Sequence, residues 1–164
     1  MSAYITLMTP MTDQECLVAA LADVGFDQTK VEVHASPVQL VGYQGDRREQ
    51  KAHIVIRRQH VGGASNDVGF LGSPTGYQAL VSGYDHPRFG SGWLSQLSRR
   101  YEVHATAKQE RLAAEERRRL EEERQRLVAA QRAAVQEKAK KLGYQVKETR
   151  EGEKIRFVLV KRIY

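Results

Sequence analysis

The sequence predicts an α+β protein: an antiparallel sheet meander covered by a helix, then one long charged α-helix and a C-terminal β-hairpin. Two observations carry this prediction. Residues 105–142 contain no Gly and no Pro, and nearly all of them are strong helix formers. Within residues 30–83, apolar residues recur with a period of two, and the short runs are separated by turn residues.

The 164 residues are enough for one domain with an appendage. We expect a sheet domain over 1–103, the long helix over 104–142 and the hairpin over 143–164. The hairpin either adds strands to the same sheet or makes an assembly contact. Because a helix over 105–142 would be roughly 57 Å long, returning to the first sheet is difficult. We therefore favour an unbroken helix and an assembly contact.

The sheet domain begins with a β-type run at residues 4–8 and an amphipathic helix. Thr12 and Glu15 have the spacing of a capping box at the start of this helix. Gly25 is the expected C′ residue at its end. Alternating apolar residues then predict five strands, with Ser36-Pro37 as a turn between the first two. Their expected ranges are 31–34, 38–43, 52–58, 67–71 and 77–83.

The long helix carries most of the excess positive charge. It holds eleven Lys/Arg and seven Asp/Glu between His104 and Leu142, so four of the six net positive charges lie there. Leu120 and Leu127 share one stripe, but Glu116 and Glu123 occupy the matching heptad positions, so a coiled-coil seam is only half present. Two interpretations stay open: a solvated helix with a marginal contact, or a docking arm for a protein or nucleic acid.

We expect a partner to contact cations and apolar side chains of this helix. The candidate partner-binding residues are Arg111, Arg117, Arg118, Leu120, Arg124, Leu127 and Val135.

Motifs for enzymatic chemistry are missing from the sequence. It contains no phosphate-binding glycine loop, no metalloprotease HExxH and no GxSxG. The single cysteine, Cys16, excludes an intramolecular disulfide, and the five histidines fall in separate elements. We therefore expect no catalytic residue, no metal and no cofactor. The irregular segment 84–93 and the residues near it offer one candidate groove, although structural capping is the favoured role for its two aspartates. The candidate groove residues are Asp67, Asp85, His86 and Trp93.

Basic pairs outside the helix, Arg47-Arg48, Arg57-Arg58 and Arg99-Arg100, are candidates for phosphate contacts. No apolar run reaches the roughly 18 residues of a membrane span, and the first residues lack the pattern of a signal peptide. We expect a soluble, cytoplasmic protein.

Several short stretches together resemble a known family. They are VGYQG at 41–45, NDVGF at 66–70, GYQALV at 76–81, LSRRY at 97–101, GYQV at 143–146 and the closing strand at 155–162. The chain resembles the uncharacterised family typified by hypothetical chloroplast reading frame thirty-five. The resemblance implies a small α+β domain without an assigned reaction. Its bacterial relatives are often encoded beside AAA+ ATPases, which implies an accessory role. The long charged insert departs from the family pattern.

These observations lead to one functional expectation and two alternatives. We expect a non-enzymatic accessory or adaptor protein that docks onto a larger assembly, for example an AAA+ ATPase or a homo-oligomer, through its long helix and hairpin. The first alternative is a nucleic-acid or ribosome-binding protein that uses the arginine clusters. The second is a small ligand-binding domain or enzyme that uses segment 84–93.

Overall fold

The protein has the mixed α+β fold that the sequence predicts. A computed structural model describes residues 2–161. The chain divides into two compact units, Met1–Glu110 and Arg111–Tyr164. In order, the elements are β1 (Tyr4–Met8), α1 (Gln14–Asp23), β2 (Val31–Val41), β3 (Arg47–Ile56), α2 (Arg58–Val61), β4 (Val68–Ser73), β5 (Gly76–Ser82), α3 (His86–Phe89), α4 (Ser91–Lys141), β6 (Tyr144–Glu151) and β7 (Lys154–Lys161).

The first unit is built on a five-stranded antiparallel sheet. Its strand order is β1-β5-β4-β3-β2, so β2 to β5 form the predicted meander and β1 pairs with the far side of β5. The two edge strands are β1 and β2. Side chains of α1 and of the beginning of α4 pack on one face of this sheet with a continuous apolar core. Fully buried members of that core include Leu17, Leu21, Ile54, Phe70 and Leu97.

Strand β2 corrects one prediction, because it runs through Ser36-Pro37 without a turn. Val33 pairs with Ile54 and Val38 pairs with Ala52, so four residues of β2 lie opposite His53 alone. This arrangement is a large β-bulge, and proline is tolerated in a bulge on an edge strand because no ladder hydrogen bond is lost there. We call it the His53 bulge.

Ala52 and Ile54, which flank His53 in β3, lie on opposite faces of the sheet. Ile54 belongs to the core under the helices, and Ala52 belongs to a second apolar cluster. That cluster contains Leu40, Val55 and Leu80 as well. The sheet is therefore packed on both faces, and the alternation of side chains along β3 is interrupted at His53.

The sequence predicts the C-terminal end of α1 correctly, but it does not predict the N-cap. At the beginning, the N-cap is Asp13, whose carboxylate accepts a hydrogen bond from the Cys16 N–H at 3.0 Å. The capping box predicted for Thr12 is therefore wrong by one residue. At the end, Gly25 has φ 101°, and the Phe26 N–H donates to the Leu21 carbonyl at 2.9 Å. This is the Schellman arrangement that the predicted C′ glycine makes possible.

The second unit contains the rest of α4 and the β6–β7 hairpin. The hairpin forms its own two-stranded sheet, so it does not add strands to the five-stranded sheet. Arg132 of α4 pairs with Glu148 of β6 at 3.0 Å. Among the described residues of this unit, Ala139 alone is buried. A helix with a two-stranded hairpin and so little core has marginal stability of its own.

Candidate functional site

The helix α4 exposes an apolar stripe in the second unit. Leu120 and Leu127 are 53% and 60% exposed, and they recur at heptad spacing with Ala113 and Ala134. At 100° per residue these four side chains share one face of the helix. We call Ala113, Leu120, Leu127 and Ala134 the leucine stripe. Exposed apolar patches on a protein surface mark candidate sites for protein–protein contact.

The hairpin occupies a different face of α4. A cavity of about 480 Å³ lies between the helix and the hairpin, and Arg124, Val128 and Arg132 line its helix side. Neither Leu120 nor Leu127 lines it, because both lie roughly 120° around the helix from the centre of that face. Within the described part of the second unit, the leucine stripe is therefore uncovered.

Cations lie directly beside the leucine stripe on one side only, because Glu116 and Glu123 lie between the stripe and the cations on the other side. In heptad terms, the e and g positions hold Arg117, Arg124 and Lys138 on one flank and Arg119, Arg126 and Lys140 on the other. Two of these cations form ion pairs with glutamates. Arg124 pairs with Glu121 at 3.0 Å, and Arg119 pairs with Glu116 at 3.6 Å. The first of these pairs also lowers the pKa of Glu121. Such exposed pairs stabilise a helix only slightly.

The seven predicted partner-binding residues all lie on α4, but they do not form one surface. Leu120 and Leu127 are in the leucine stripe, with Arg117 and Arg124 on its flank. Arg118 pairs with Glu122 at 3.8 Å. Val135, which is 37% exposed, points closer to the hairpin side than the two leucines do. Arg111 is exposed at the beginning of the second unit.

The four candidate groove residues do not meet in one groove. Trp93 packs in the core, with its ring centroid 5.0 Å from that of Phe89 and 6.3 Å from that of Phe70. His86 begins the short helix α3 and is half-buried. Asp85 is buried beside it, where its carboxylate accepts hydrogen bonds from the Ser82 hydroxyl at 2.6 Å and the Asn66 N–H at 3.0 Å.

Asp67 is fully buried and holds three segments together. One carboxylate oxygen accepts from the Arg58 N–H at 2.8 Å. The other accepts from the Val41 N–H at 2.8 Å and from the Arg57 guanidinium at 2.9 Å. Asn66, the next residue back, accepts from the Tyr43 N–H at 3.1 Å. Asn66 and Asp67 therefore fix the end of the β2–β3 hairpin against the beginnings of α2 and β4.

Asp67 also lies at the base of an open cleft of about 410 Å³. We call it the arginine cleft, and its lining residues are Gln39, Val41, Arg47, Arg57, Arg58, Gln59 and Asp67. Two basic pairs that are separate in the sequence thus contribute to one concave surface. The sequence did not reveal this cleft because Arg47 and Arg57 are at opposite ends of β3. They meet because one oxygen of Asp67 accepts hydrogen bonds both from Arg57 and from the N–H of Val41, the residue that pairs with Arg47.

Among residues 2–161, no group of three His, Cys, Asp or Glu side chains is placed to hold a metal ion. The described helices include none that is long and apolar enough to cross a membrane. Comparisons with protein-family models, with curated proteins and with solved structures found no significant match to this chain.

Proposed function

We propose that this protein is a non-enzymatic docking protein that binds a helix of a larger protein assembly along the leucine stripe of α4. One observation carries the proposal: Leu120 and Leu127 are more than half exposed at heptad spacing, on a face that the hairpin leaves open. Burying two leucine side chains stabilises a complex by several kcal/mol at most. Additional affinity then comes from the charged flanks.

The charged residues beside the leucine stripe determine which kind of helix can dock there. A second copy docked in parallel along the same stripe would bring the cations of the flanks together and would place Glu116 and Glu123 against their own copies. Like charges that face one another across a helix interface disfavour that pairing. A helix with leucines in its seam and Glu or Asp at its flanking positions meets the opposite charge of Arg117 and Arg124 directly beside the stripe, and the cations on the other side lie beyond Glu116 and Glu123. The proposed partner is therefore an amphipathic helix with acidic flanks.

The family resemblance suggests an AAA+ ATPase as the first assembly to test. An adaptor that presents a helix to such a machine needs an exposed, specific binding surface and no reaction of its own. The leucine stripe meets this requirement. The hairpin, whose outer face exposes Val158 and Val160, is a second surface for the same assembly.

Site-specific photocrosslinking in the source cell tests the proposal. A benzophenone amino acid is placed at Leu127 in one variant and at Glu122 in another. Glu122 is the matched control because it is exposed on the same helix but lies away from the leucine stripe. We expect an adduct from position 127 only, and we expect Leu120→Glu to abolish it without changing the helical circular dichroism.

The crosslinked peptide decides between partner types. An amphipathic segment with acidic flanks, from another protein, supports the proposal. Adducts of equal yield from positions 127 and 122, adducts to nucleic acid, or adducts to a second copy of the chain contradict it.

A further inference from the structure

We propose that the arginine cleft binds the phosphate group of a small, polar phosphate monoester. This site lies in the first unit and does not depend on the docking function proposed for the second. Its lining combines three guanidinium groups with two glutamine amides, and the only carboxylate in the lining is that of Asp67.

Arg57 is held in a fixed position within the cleft. Its Nη1 donates to Asp67 at 2.9 Å, its Nε donates to Glu32 at 2.8 Å, and its Nη2 lies 2.6 Å from the same Glu32 oxygen. These contacts use three of its five N–H groups and leave one on each terminal nitrogen. The bond with Glu32 also raises the pKa of Arg57, so the group is positively charged at all relevant pH values. A guanidinium that is already ordered loses little entropy when it binds an anion.

Arg58 and Arg47 supply the charge that is not neutralised inside the protein. The Arg58 Nη1 donates to the Tyr43 carbonyl at 2.5 Å, which positions the side chain without cancelling its charge. Arg47 is exposed, and within residues 2–161 its guanidinium has no hydrogen-bond or ion-pair partner. Three cations therefore converge from both ends of β3 on one cleft.

The carboxylate of Asp67 does not cancel the positive charge that the arginine cleft presents to a ligand. Its two oxygens already accept three hydrogen bonds, and its side chain is fully buried, so it presents no free acceptor to a ligand. The groups that the cleft offers a ligand are thus donors, from arginines and from the amides of Gln39 and Gln59. A ligand that fits must be rich in acceptors and negatively charged.

A phosphate monoester matches this donor set better than other anions. It carries close to two negative charges and three terminal oxygens, and arginine binds such oxygens in bidentate fashion. The cleft volume of about 410 Å³ is within the range of small-ligand sites. Val41 is its one apolar lining residue and no aromatic ring lines it, so it lacks a stacking surface for a nucleobase. The remainder of the ligand is therefore polar, as in a sugar phosphate.

Calorimetric titration of the full chain with ribose 5-phosphate at constant ionic strength tests the inference. We expect saturable binding, no binding of ribose, and weakening of at least about tenfold in Arg47→Gln, which removes an unpaired charge. Arg99→Gln is the matched control because Arg99 is an exposed arginine elsewhere in the first unit. It should bind like the original protein.

Three results would overturn the inference: no saturation at millimolar ligand, equal weakening in Arg47→Gln and Arg99→Gln, or sulfate binding as tightly as the phosphate ester. A single-stranded RNA whose affinity falls equally in both variants would assign these arginines to nucleic-acid binding instead. None of these results depends on the partner of the leucine stripe.

Discussion

The Tyr101 hydroxyl oxygen of α4 accepts hydrogen bonds from two consecutive backbone N–H groups, those of Thr12 at 3.1 Å and Asp13 at 2.9 Å. Both groups lie at the beginning of α1, where a helix leaves N–H groups without intrahelical acceptors. Tyr101 is buried, so water does not readily replace it. One side chain of α4 thus closes the end of the neighbouring helix.

We therefore expect Tyr101→Phe to lower the free energy of unfolding by about 1–3 kcal/mol, because two N–H groups lose their acceptor while the ring stays packed. Urea denaturation followed by circular dichroism measures this change. Tyr84→Phe is the control, since that tyrosine is exposed and should respond by less than about 0.5 kcal/mol. Equal responses of the two variants would show that the Tyr101 hydroxyl is not a cap.

Asp13→Ala should destabilise the protein by about 1 kcal/mol through loss of the N-cap. Thr12→Ala should cost less, because the Thr12 hydroxyl lies 3.5 Å from the Tyr101 hydroxyl and does not cap the helix. The opposite order of the two variants would restore Thr12 as the cap.

The effect of Asp13→Ala should also depend on pH. The hydrogen bond from Lys108 and that from the Cys16 N–H lower the pKa of Asp13 below its ordinary value of 3.8. A carboxyl group with a lowered folded pKa stabilises the protein above its unfolded pKa and loses that contribution as pH falls through the folded value. The difference between variant and original protein should therefore be full at neutral pH and shrink below pH 3.8. A constant difference across this range would contradict the ion pair with Lys108.

Asp67→Ala should destabilise the first unit by about 3–5 kcal/mol, because it leaves Arg57 without its buried partner. Glu32→Gln removes the other carboxylate bound to Arg57, but Glu32 is partly exposed and its loss should cost about 1 kcal/mol or less. Chemical denaturation of both variants gives the comparison. If Asp67→Ala does not fold, Asp67→Asn, which retains an acceptor, should fold with intermediate stability. Equal costs for Asp67 and Glu32 would contradict the structural role given to Asp67.

Gly69→Ala should destabilise the sheet by about 1–3 kcal/mol through overpacking. A Cβ at position 69 would lie 2.6 Å from the Cβ of Ala52 and 2.9 Å from a methyl group of Leu40. Gly63→Ala is the control, because a Cβ there would meet no atom within 4 Å. Thermal unfolding distinguishes them, and a neutral Gly69→Ala would mean that β2 and β3 approach β4 less closely.

The sequence predicts the parts of this fold that depend on local periodicity. Strand β1 has its expected bounds, and α4 is continuous through residues 105–141, where no Gly or Pro interrupts it. The leucine stripe could also be identified, since heptad positions follow from helix geometry alone. The exposure of the leucine stripe could not be predicted, because it depends on where the hairpin packs.

Features that depend on the His53 bulge were not predictable from the sequence. Pro37 looks like the end of a strand, and only the pairing of β2 with β3 shows that it lies within one. The arginine cleft was not predictable either, because it requires the two ends of β3 to come together. The N-cap was misassigned since Thr12 and Asp13 are both good N-caps, and the sequence spacing alone does not select between them.

The His53 bulge also gives β2 a site that should accept a change in length. Ala35, Ser36 and Pro37 are exposed, lie outside the paired register, and belong to an edge strand. Additional residues there would lengthen a bulge that already exists, and the ladders on either side would keep their pairing. A short epitope or a fluorophore-labelling tag inserted at this point would report on the nearby strand without dividing it.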